Sequence, residues 1–258
     1  MIIRLKDIYV PAGSAAARRP LFEGLDLEIP SAARVGVVGG AKSGKTTLLR
    51  LMCGTMQPDS GTVERNGFTS WPIPLGSFLT PTATVARNIR FIARLYGILD
   101  EEFPRRIAIM VGLEEFLNLP MQNCPKFVKG RLALALGIGL EFDTYLFDGS
   151  LAPADKSFKE KAVDLVTARM TGRGYVLATS TPAEAEKHCD SIYVLESGKA
   201  RHFPDKNQGI EYFKKLLEAE KKKLAMEQQA GRIEEDDEDA DGVADVDVVG
   251  AAVADVLE

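Results

Sequence analysis

Residues 34–53 carry the feature that most constrains how this chain can fold. A continuous apolar, β-branched run at residues 34–38 is followed by the octet GGAKSGKT at residues 39–46 and by a helical pattern at residues 45–53. The octet fits GxxxxGK[ST] in its required context, with a strand before it and a helix after it. Backbone amides at such a turn surround phosphate groups, and the helix dipole favours their negative charge. The sequence therefore predicts a nucleotide-phosphate loop.

The predicted ligands of this loop are ATP and Mg²⁺. Lys45 is expected to reach the β- and γ-phosphates, and Thr46 to place its hydroxyl on the metal ion. Asp148 ends the apolar run YLF and is expected to hold the same ion through water. A glycine-rich turn can arise by chance, but the complete lysine–threonine pattern with this distant aspartate argues against that. The predicted nucleotide-binding residues are Gly39, Gly40, Ala41, Lys42, Ser43, Gly44, Lys45, Thr46 and Thr47.

The pattern after the loop alternates strands with helices. Short apolar strands are predicted at residues 145–147, 175–179 and 192–195, separated by helices at residues 159–169 and around residues 182–188. Alternation of this kind is typical of a largely parallel sheet covered by helices. We therefore predict an α/β fold.

Two smaller parts are predicted to accompany this sheet. Apolar β-type runs at residues 2–5 and 25–29 predict an antiparallel pair, and residues 59–67 (DSGTVERNG) predict a hairpin. Helical periodicity places a helical subdomain at about residues 80–143. The nucleotide-binding domain is expected to span residues 1–217.

The C-terminal part is predicted to lie outside that domain. A charged helix is expected from residue 210 to about residue 229, which gives the domain a helical extension at residues 218–233. Residues 234–258 hold 11 of the 37 acidic residues and no basic residue, so they are predicted to form a disordered acidic tail. Such a run is either a solvated extension or a segment that binds a partner.

Composition limits the class of protein. A hydrophobic fraction of 45% and a charged fraction of 27% are the proportions of a soluble globular protein. The sequence has no stretch of the ~20 apolar residues that a membrane helix needs, and its N-terminus lacks the pattern of a secretory signal. We expect a cytosolic protein whose contact with a membrane is indirect.

Residues 46–67, TTLLRLMCGTMQPDSGTVERNG, resemble the ATP-binding subunits of ABC transporters. Three further segments resemble the branch that exports capsular and related cell-surface polysaccharides: SWP at 70–72, RNIRF at 87–91 and ARLYG at 93–97. The runs RLALAL at 131–136 and FKEK at 158–161, with Cys189 and Asp190, also match. The resemblance covers about residues 1–217.

The resemblance implies a P-loop NTPase of ABC type, with a mostly parallel sheet flanked by helices, a small antiparallel N-terminal β part and a helical subdomain. It implies that two nucleotide-binding subunits, identical or different, close head-to-tail over two ATPs. A membrane permease is the implied partner, and no nucleic acid is expected. The implied location is the cytoplasmic face of the bacterial inner membrane, as a peripheral subunit.

The chain departs from the family where the family hydrolyses ATP. The signature that cradles the γ-phosphate is expected at residues 125–128, which read Pro-Lys-Phe-Val and lack its serine and glycine. Gly149 stands where the resemblance places the catalytic glutamate, and Thr181 where it places the switch histidine. The family's metal-linking glutamine has no counterpart between Trp71 and Asn88. These departures predict that nucleotide binding is kept while turnover is weak or depends on a partner.

Other interpretations remain open at this stage. The chain could be an inactive pseudo-ATPase that acts as a nucleotide-gated regulator or scaffold. A soluble P-loop kinase would need an acceptor site and a mobile lid, and the RFIARLYG helix instead resembles a permease-contacting region. Tyr9 could stack on adenine or be structural, and His188 is expected to be an ordinary helix residue.

Overall fold

The computed structural model describes residues 3–11, 20–73, 78–152 and 155–222. The chain divides into two compact units, Met1–Lys214 and Lys215–Glu258. The strands are β1 (Ile3–Val10), β2 (Phe22–Ile29), β3 (Arg34–Gly39), β4 (Ser60–Arg65), β5 (Thr69–Ile73), β6 (Thr144–Asp148), β7 (Gly174–Thr179), β8 (Ser191–Glu196) and β9 (Lys199–Phe203). The α-helices are α1 (Lys45–Cys53), α2 (Val85–Leu95), α3 (Phe103–Val111), α4 (Lys126–Gly139), α5 (Lys159–Arg169) and α6 (Pro182–His188).

A six-stranded sheet in the order β5-β6-β7-β3-β8-β9 forms the centre of the first unit. Its first five strands are parallel neighbours, and β9 pairs with β8 in the antiparallel sense. Every residue of β7 is buried, as is every residue of β3 after Arg34. Strands covered on both faces are continuously apolar, which is why these runs were recognisable in the sequence. The predicted α/β fold is confirmed.

A smaller antiparallel sheet in the order β2-β1-β4 stands beside it. Leu5 pairs with Leu27, so the predicted N-terminal pair is confirmed. The predicted hairpin at residues 59–67 is wrong, because this segment supplies only β4, and β4 pairs with β1. Ser60 lies opposite Tyr9, and the Asp59 amide donates to the Tyr9 carbonyl at 3.0 Å. Residues 66–68, which follow β4, therefore lead from the smaller sheet to β5 of the central sheet.

Residues 85–139 are mainly helical and lie between β5 and β6 in the sequence. Thr84 begins α2, since its hydroxyl accepts the Arg87 amide. The buried Asn88 side chain fixes the preceding loop, because it accepts the Thr80 amide at 2.7 Å and donates to the Thr80, Ala83 and Thr84 carbonyls. Residues 80–84 are thus attached to the first turns of α2.

The C-terminal predictions can be followed only in part. Residues 206–214 are helical in the first unit, and residues 215–222 are helical in the second. The predicted tail at residues 234–258 and the end of the charged helix lie outside the described residues. Within the described ranges, no helix is long and apolar enough to cross a membrane.

Candidate nucleotide site

The carboxyl ends of three neighbouring parallel strands bring the predicted site residues to one edge of the sheet. Val38 pairs with Thr179 at the end of β7, and the phosphate loop follows directly after β3. Asp148 ends β6 and pairs with Ala178, the residue before Thr179. Ligands of open parallel sheets bind at this edge. The topology therefore places Asp148 next to the loop although about a hundred residues separate them.

The loop takes a conformation that its glycines permit. Gly44 has a φ of +93° and caps the N-terminus of α1. A Cβ at Gly44 would lie 2.6 Å from the Phe22 ring, so a side chain is excluded by space as well as by backbone angle. Ala41 and Lys42 are exposed, whereas Gly39 and Gly40 are buried. The loop therefore offers its outer residues to solvent and packs its start against the sheet.

Lys45, which is predicted to reach the β- and γ-phosphates, lies against the phosphate loop. Its ammonium donates to the Gly39 carbonyl at 2.9 Å, to the Gly40 carbonyl at 2.7 Å and to the Ser43 hydroxyl at 3.2 Å. An ammonium group is a compact point charge with rotatable donors, so it can exchange such acceptors for phosphate oxygens. Ser43 is among the predicted nucleotide-binding residues, but its contact with Lys45 does not follow from the pattern, because its position in GxxxxGK[ST] is unspecified.

Thr46 and Asp148 meet beside this lysine. The Thr46 hydroxyl donates to an Asp148 carboxylate oxygen at 2.8 Å. A hydroxyl and a carboxylate are hard oxygen donors of the kind that Mg²⁺ prefers, usually together with water and phosphate oxygens. The residues present therefore fit the magnesium ion that the sequence predicts, and its binding stays a prediction.

Gly149, directly after Asp148, has a backbone conformation that other residues rarely adopt. Its φ is +99°, and its amide donates to the Ala178 carbonyl at 2.7 Å, which holds it there. Among the described residues, no atom lies within 4 Å of a Cβ built at this position. The obstacle to a glutamate here is thus the backbone angle and not space.

We expect Gly149→Glu to destabilise the protein without creating a general base. Gly149→Glu and Gly149→Gln should lower the free energy of unfolding similarly, by about 1–3 kcal/mol, because the cost lies in the shared backbone strain. Urea unfolding and phosphate release measure the two effects. A rate clearly higher in Gly149→Glu than in its Gln counterpart would contradict this prediction.

Thr181, which is predicted to stand at the switch position, and His188 lie at opposite ends of α6. Thr181 is exposed at the start of α6, and its amide donates to the Thr179 hydroxyl at 3.1 Å. His188 ends α6 and accepts a hydrogen bond from the Tyr175 hydroxyl through its carbonyl. Tyr175 pairs with Arg34 at the start of β3, the edge opposite the phosphate loop. Burial lowers the pKa of the His188 imidazole. His188 is therefore not placed to replace a switch residue.

The segment predicted to replace the signature, residues 125–128, lies at the N-terminus of α4. Pro125 caps this helix with an extended backbone, and Lys126 and Phe127 follow it in exposed positions. The Phe127 ring meets the Phe116 ring edge-on at 5.8 Å. A bulky ring thus occupies the turn in which a glycine would allow close approach of a phosphate.

Comparison with known proteins decides between the families that share a phosphate loop. The ABC transporter family model matches residues 22–120. The ATP-binding protein BexA of Haemophilus influenzae is 30% identical over 212 residues, which make up 82% of this chain and 98% of that protein. The chain belongs to the ABC transporter ATP-binding family. It is an ABC-type transport ATPase by this membership, and the soluble-kinase interpretation is wrong.

Other relatives of this ABC subunit point in the same direction. The capsule polysaccharide export ATP-binding protein CtrD of Neisseria meningitidis serogroup B is 28% identical over 198 residues, covering 77% of this chain and 92% of that protein. The polysialic acid transport ATP-binding protein KpsT of Escherichia coli is 27% identical over 217 residues, covering 83% and 96%. The resemblance to the polysaccharide-export branch is confirmed, and the inactive-scaffold interpretation is not favoured over it.

Solved structures agree on the fold. An ATP-binding subunit of an ABC transporter superimposes with a TM-score of 0.66 at 22% identity, covering 78% of this chain and 88% of that one. A dimeric ATP-binding cassette in a post-hydrolysis state with ADP and Pi gives a TM-score of 0.66 at 18% identity, covering 78% and 97%. The predicted ABC-type architecture is therefore confirmed.

Proposed function

We propose that this chain binds Mg²⁺-ATP at the phosphate loop and energises export of a capsular or related cell-surface polysaccharide through a membrane permease. The observation that carries the nucleotide part is the 2.8 Å contact of Thr46 with Asp148, beside a lysine held in the loop. The names of CtrD and KpsT support the polysaccharide part. The location proposed is the cytoplasmic face of the bacterial inner membrane.

Each site residue has a role in this proposal. The loop amides and the Lys45 ammonium hold the phosphates, and residues 39–47 shape the turn around them. The Thr46 hydroxyl and the Asp148 carboxylate hold the metal ion, the latter through water. When bound, Mg²⁺ offsets negative charge on the phosphate oxygens.

Hydrolysis by the isolated chain is proposed to be slow. Gly149 has no carboxylate to accept a proton from water, and Thr181 offers a hydroxyl in place of an imidazole. Removing a general base typically costs about 10²- to 10⁴-fold in rate. The second nucleotide-binding subunit is proposed to be identical or different, and only a different subunit could supply the residues that this chain lacks.

The permease is proposed to dock on the exposed apolar residues of α2 and the turn after it. Phe91 and Leu95 lie one helical turn apart on α2 and are 58% and 65% exposed, and Leu99 is 77% exposed. Contiguous exposed apolar surface rimmed by charged residues marks sites of protein interaction. Arg87 and Arg94 on the same helix supply the charged rim.

Loss and restoration of the chain in the bacterium that makes it would test the export function. Deletion should remove polysaccharide from the cell surface and leave it inside the cell, measured by surface staining and by extraction. The wild type should restore export, and a variant with Phe91→Asp and Leu95→Asp should not. Phe68→Asp, which alters an apolar residue 75% exposed outside the helical part, is the matched control and should restore it. Unchanged surface polysaccharide in the deletion strain would refute the proposal.

A further inference from the structure

A cavity of about 500 Å³ lies at the edge of the central sheet opposite the phosphate loop. Arg34 and Tyr175, which pair near the starts of β3 and β7, both line it, together with residues of α5, of the turn after α5 and of the end of α6. Small-molecule sites in proteins have volumes of roughly 300–1,000 Å³. Asp148 and residues 39–47 do not line it. The cavity is therefore large enough for a small organic ligand and separate from the proposed nucleotide site.

The wall that α5 contributes to this cavity is mainly apolar. Val163, Val166 and Met170 recur at helical spacing, so they lie on one face of α5 and its C-terminal cap. Val166 and Met170 are buried, and Leu151, which follows β6, is a further buried apolar residue of the wall. Removing apolar surface from water is favourable. Such a wall therefore favours a ligand that has an apolar body.

The polar part of the wall is basic, and among the residues that the structure describes no acidic side chain lines the cavity. Its basic residues are Arg34, Arg173, Lys187 and His188. Arg34 binds Asp190 through Nε at 2.9 Å and Nη2 at 2.6 Å, so its charge is largely offset. The Arg173 Nη2 lies 3.6 Å from a Glu141 carboxylate that is 80% exposed, and an exposed pair of this kind is weak. Lys187 is exposed and forms no ion pair within the described ranges. Two cationic groups of the cavity are thus available to an anion.

Tyr175 and His188 fix the junction between β7 and α6 at this cavity. The Tyr175 hydroxyl donates to the His188 carbonyl, and burial raises the pKa of that hydroxyl. Burial lowers the pKa of the His188 imidazole, Glu184 at 3.8 Å raises it, and the positive charges of Lys187 and Arg34 lower it. An anion held near the ring would favour the protonated imidazole and raise this pKa. His188 is therefore a reporter of anion binding that the molecule itself contains.

We propose that this cavity is a second ligand site, which binds an amphipathic organic anion: a carboxylate, phosphate or sulfonate group carried on an apolar body. The Lys187 ammonium and the Arg173 guanidinium contact the charged group, and the apolar face of α5 contacts the body. A guanidinium fork matches such oxygens in a planar geometry, whereas an ammonium acts as a point charge. The proposal does not rest on the proposed Mg²⁺-ATP site.

Binding of anilinonaphthalene sulfonate (ANS), followed by histidine NMR on the full-length protein without a histidine tag, would test the proposal. The chain has two histidines. His188 lines the cavity, whereas His202 lies on β9 and stacks on Tyr193 at 4.4 Å. ANS should shift the His188 ring signal and raise its pKa, and it should leave the His202 signal unchanged. His202→Gln assigns the two signals.

Variants of the cavity should weaken ANS binding, measured by fluorescence titration. Losing an exposed ion pair costs about 2- to 5-fold in affinity, so Lys187→Gln combined with Arg173→Gln should lose about 4- to 25-fold. Thr167→Trp, at an exposed position of α5 that lines the cavity, should fill it and abolish the His188 shift. Lys159→Gln removes an exposed charge of α5 that does not line the cavity, and it is the matched control. Circular dichroism checks the fold of each variant.

Two further probes decide the chemical class of the ligand. Phenylnaphthylamine, which is ANS without the sulfonate, should bind at least several-fold more weakly, and inorganic phosphate should displace ANS only at much higher concentration. Equal binding of the neutral probe, or displacement by phosphate at concentrations similar to those of ANS, overturns the assignment of an amphipathic anion.

The position of the bound probe separates this site from the nucleotide site. Lys45→Ala should bind ANS as the wild type does, because Lys45 does not line the cavity. Loss of ANS binding in Lys45→Ala, a shift at His202 without one at His188, or equal affinity of Thr167→Trp and the wild type overturns the proposal. None of these results bears on ATP affinity, which titration with fluorescent ATP measures separately.

Discussion

Lys45→Ala is expected to remove most of the affinity for Mg²⁺-ATP while leaving the fold intact. The Lys45 ammonium donates to two loop carbonyls and to the Ser43 hydroxyl, so it lies within the turn that is proposed to receive the phosphates. A hydrogen bond to a charged group contributes about 1.5–3 kcal/mol, which corresponds to about a 10- to 150-fold loss in affinity. Titration with a fluorescent ATP analogue measures this loss, and circular dichroism checks the fold.

Lys42 provides the matched control for this experiment. It belongs to the same loop and carries the same charge, but its side chain is exposed and its φ is +64°. Lys42→Gln removes the charge and should change affinity far less than Lys45→Ala, because an exposed charge is screened by solvent. Equal losses in the two variants would indicate a nonspecific effect of charge, and our assignment of Lys45 would then be wrong.

Within the central sheet, the strands that the sequence predicted are those buried on both faces. β3, β6, β7 and β8 are continuous apolar runs, and each was recognisable without knowledge of its neighbours. β5 and β9 were missed because both are edge strands of the sheet. Pro72 interrupts the pattern of β5, and β9 is polar and largely exposed. Proline and polar residues are tolerated at a sheet edge, so local sequence gives no signal there.

The candidate site also has features that the sequence predicted and features that it could not predict. The phosphate loop and Asp148 follow from a motif whose residues act through fixed chemistry, and the structure brings them together. The left-handed backbone of Gly149 does not follow from its identity, since glycine adopts many conformations. The contact of the Phe127 ring with the Phe116 ring does not follow from local sequence either, because the two residues lie on different elements.

Removing the Thr46 hydroxyl should abolish the gain in ATP affinity that magnesium provides. Thr46→Val keeps the shape of the side chain but offers neither a ligand for the ion nor a hydrogen-bond donor to Asp148. In the wild type the Thr46 hydroxyl lies 2.8 Å from an Asp148 carboxylate oxygen. Asp148→Asn removes the charge that is proposed to hold the ion through water, and such changes typically cost about 10- to 100-fold in metal affinity. ATP titrations with Mg²⁺ and with EDTA, in each variant, isolate the magnesium-dependent increment.

Thr46→Ser is the control, because it retains the hydroxyl and loses only a methyl group. It should keep the magnesium-dependent increment, whereas Thr46→Val and the wild type should bind ATP equally in EDTA, since both keep the Lys45 ammonium. If Thr46→Val retains the full increment, the metal ion is held by other groups. The contact between Thr46 and Asp148 would then only join α1 to β6. The proposal of a site that binds Mg²⁺-ATP and hydrolyses it slowly, because of Gly149 and Thr181, would lose its metal ligands.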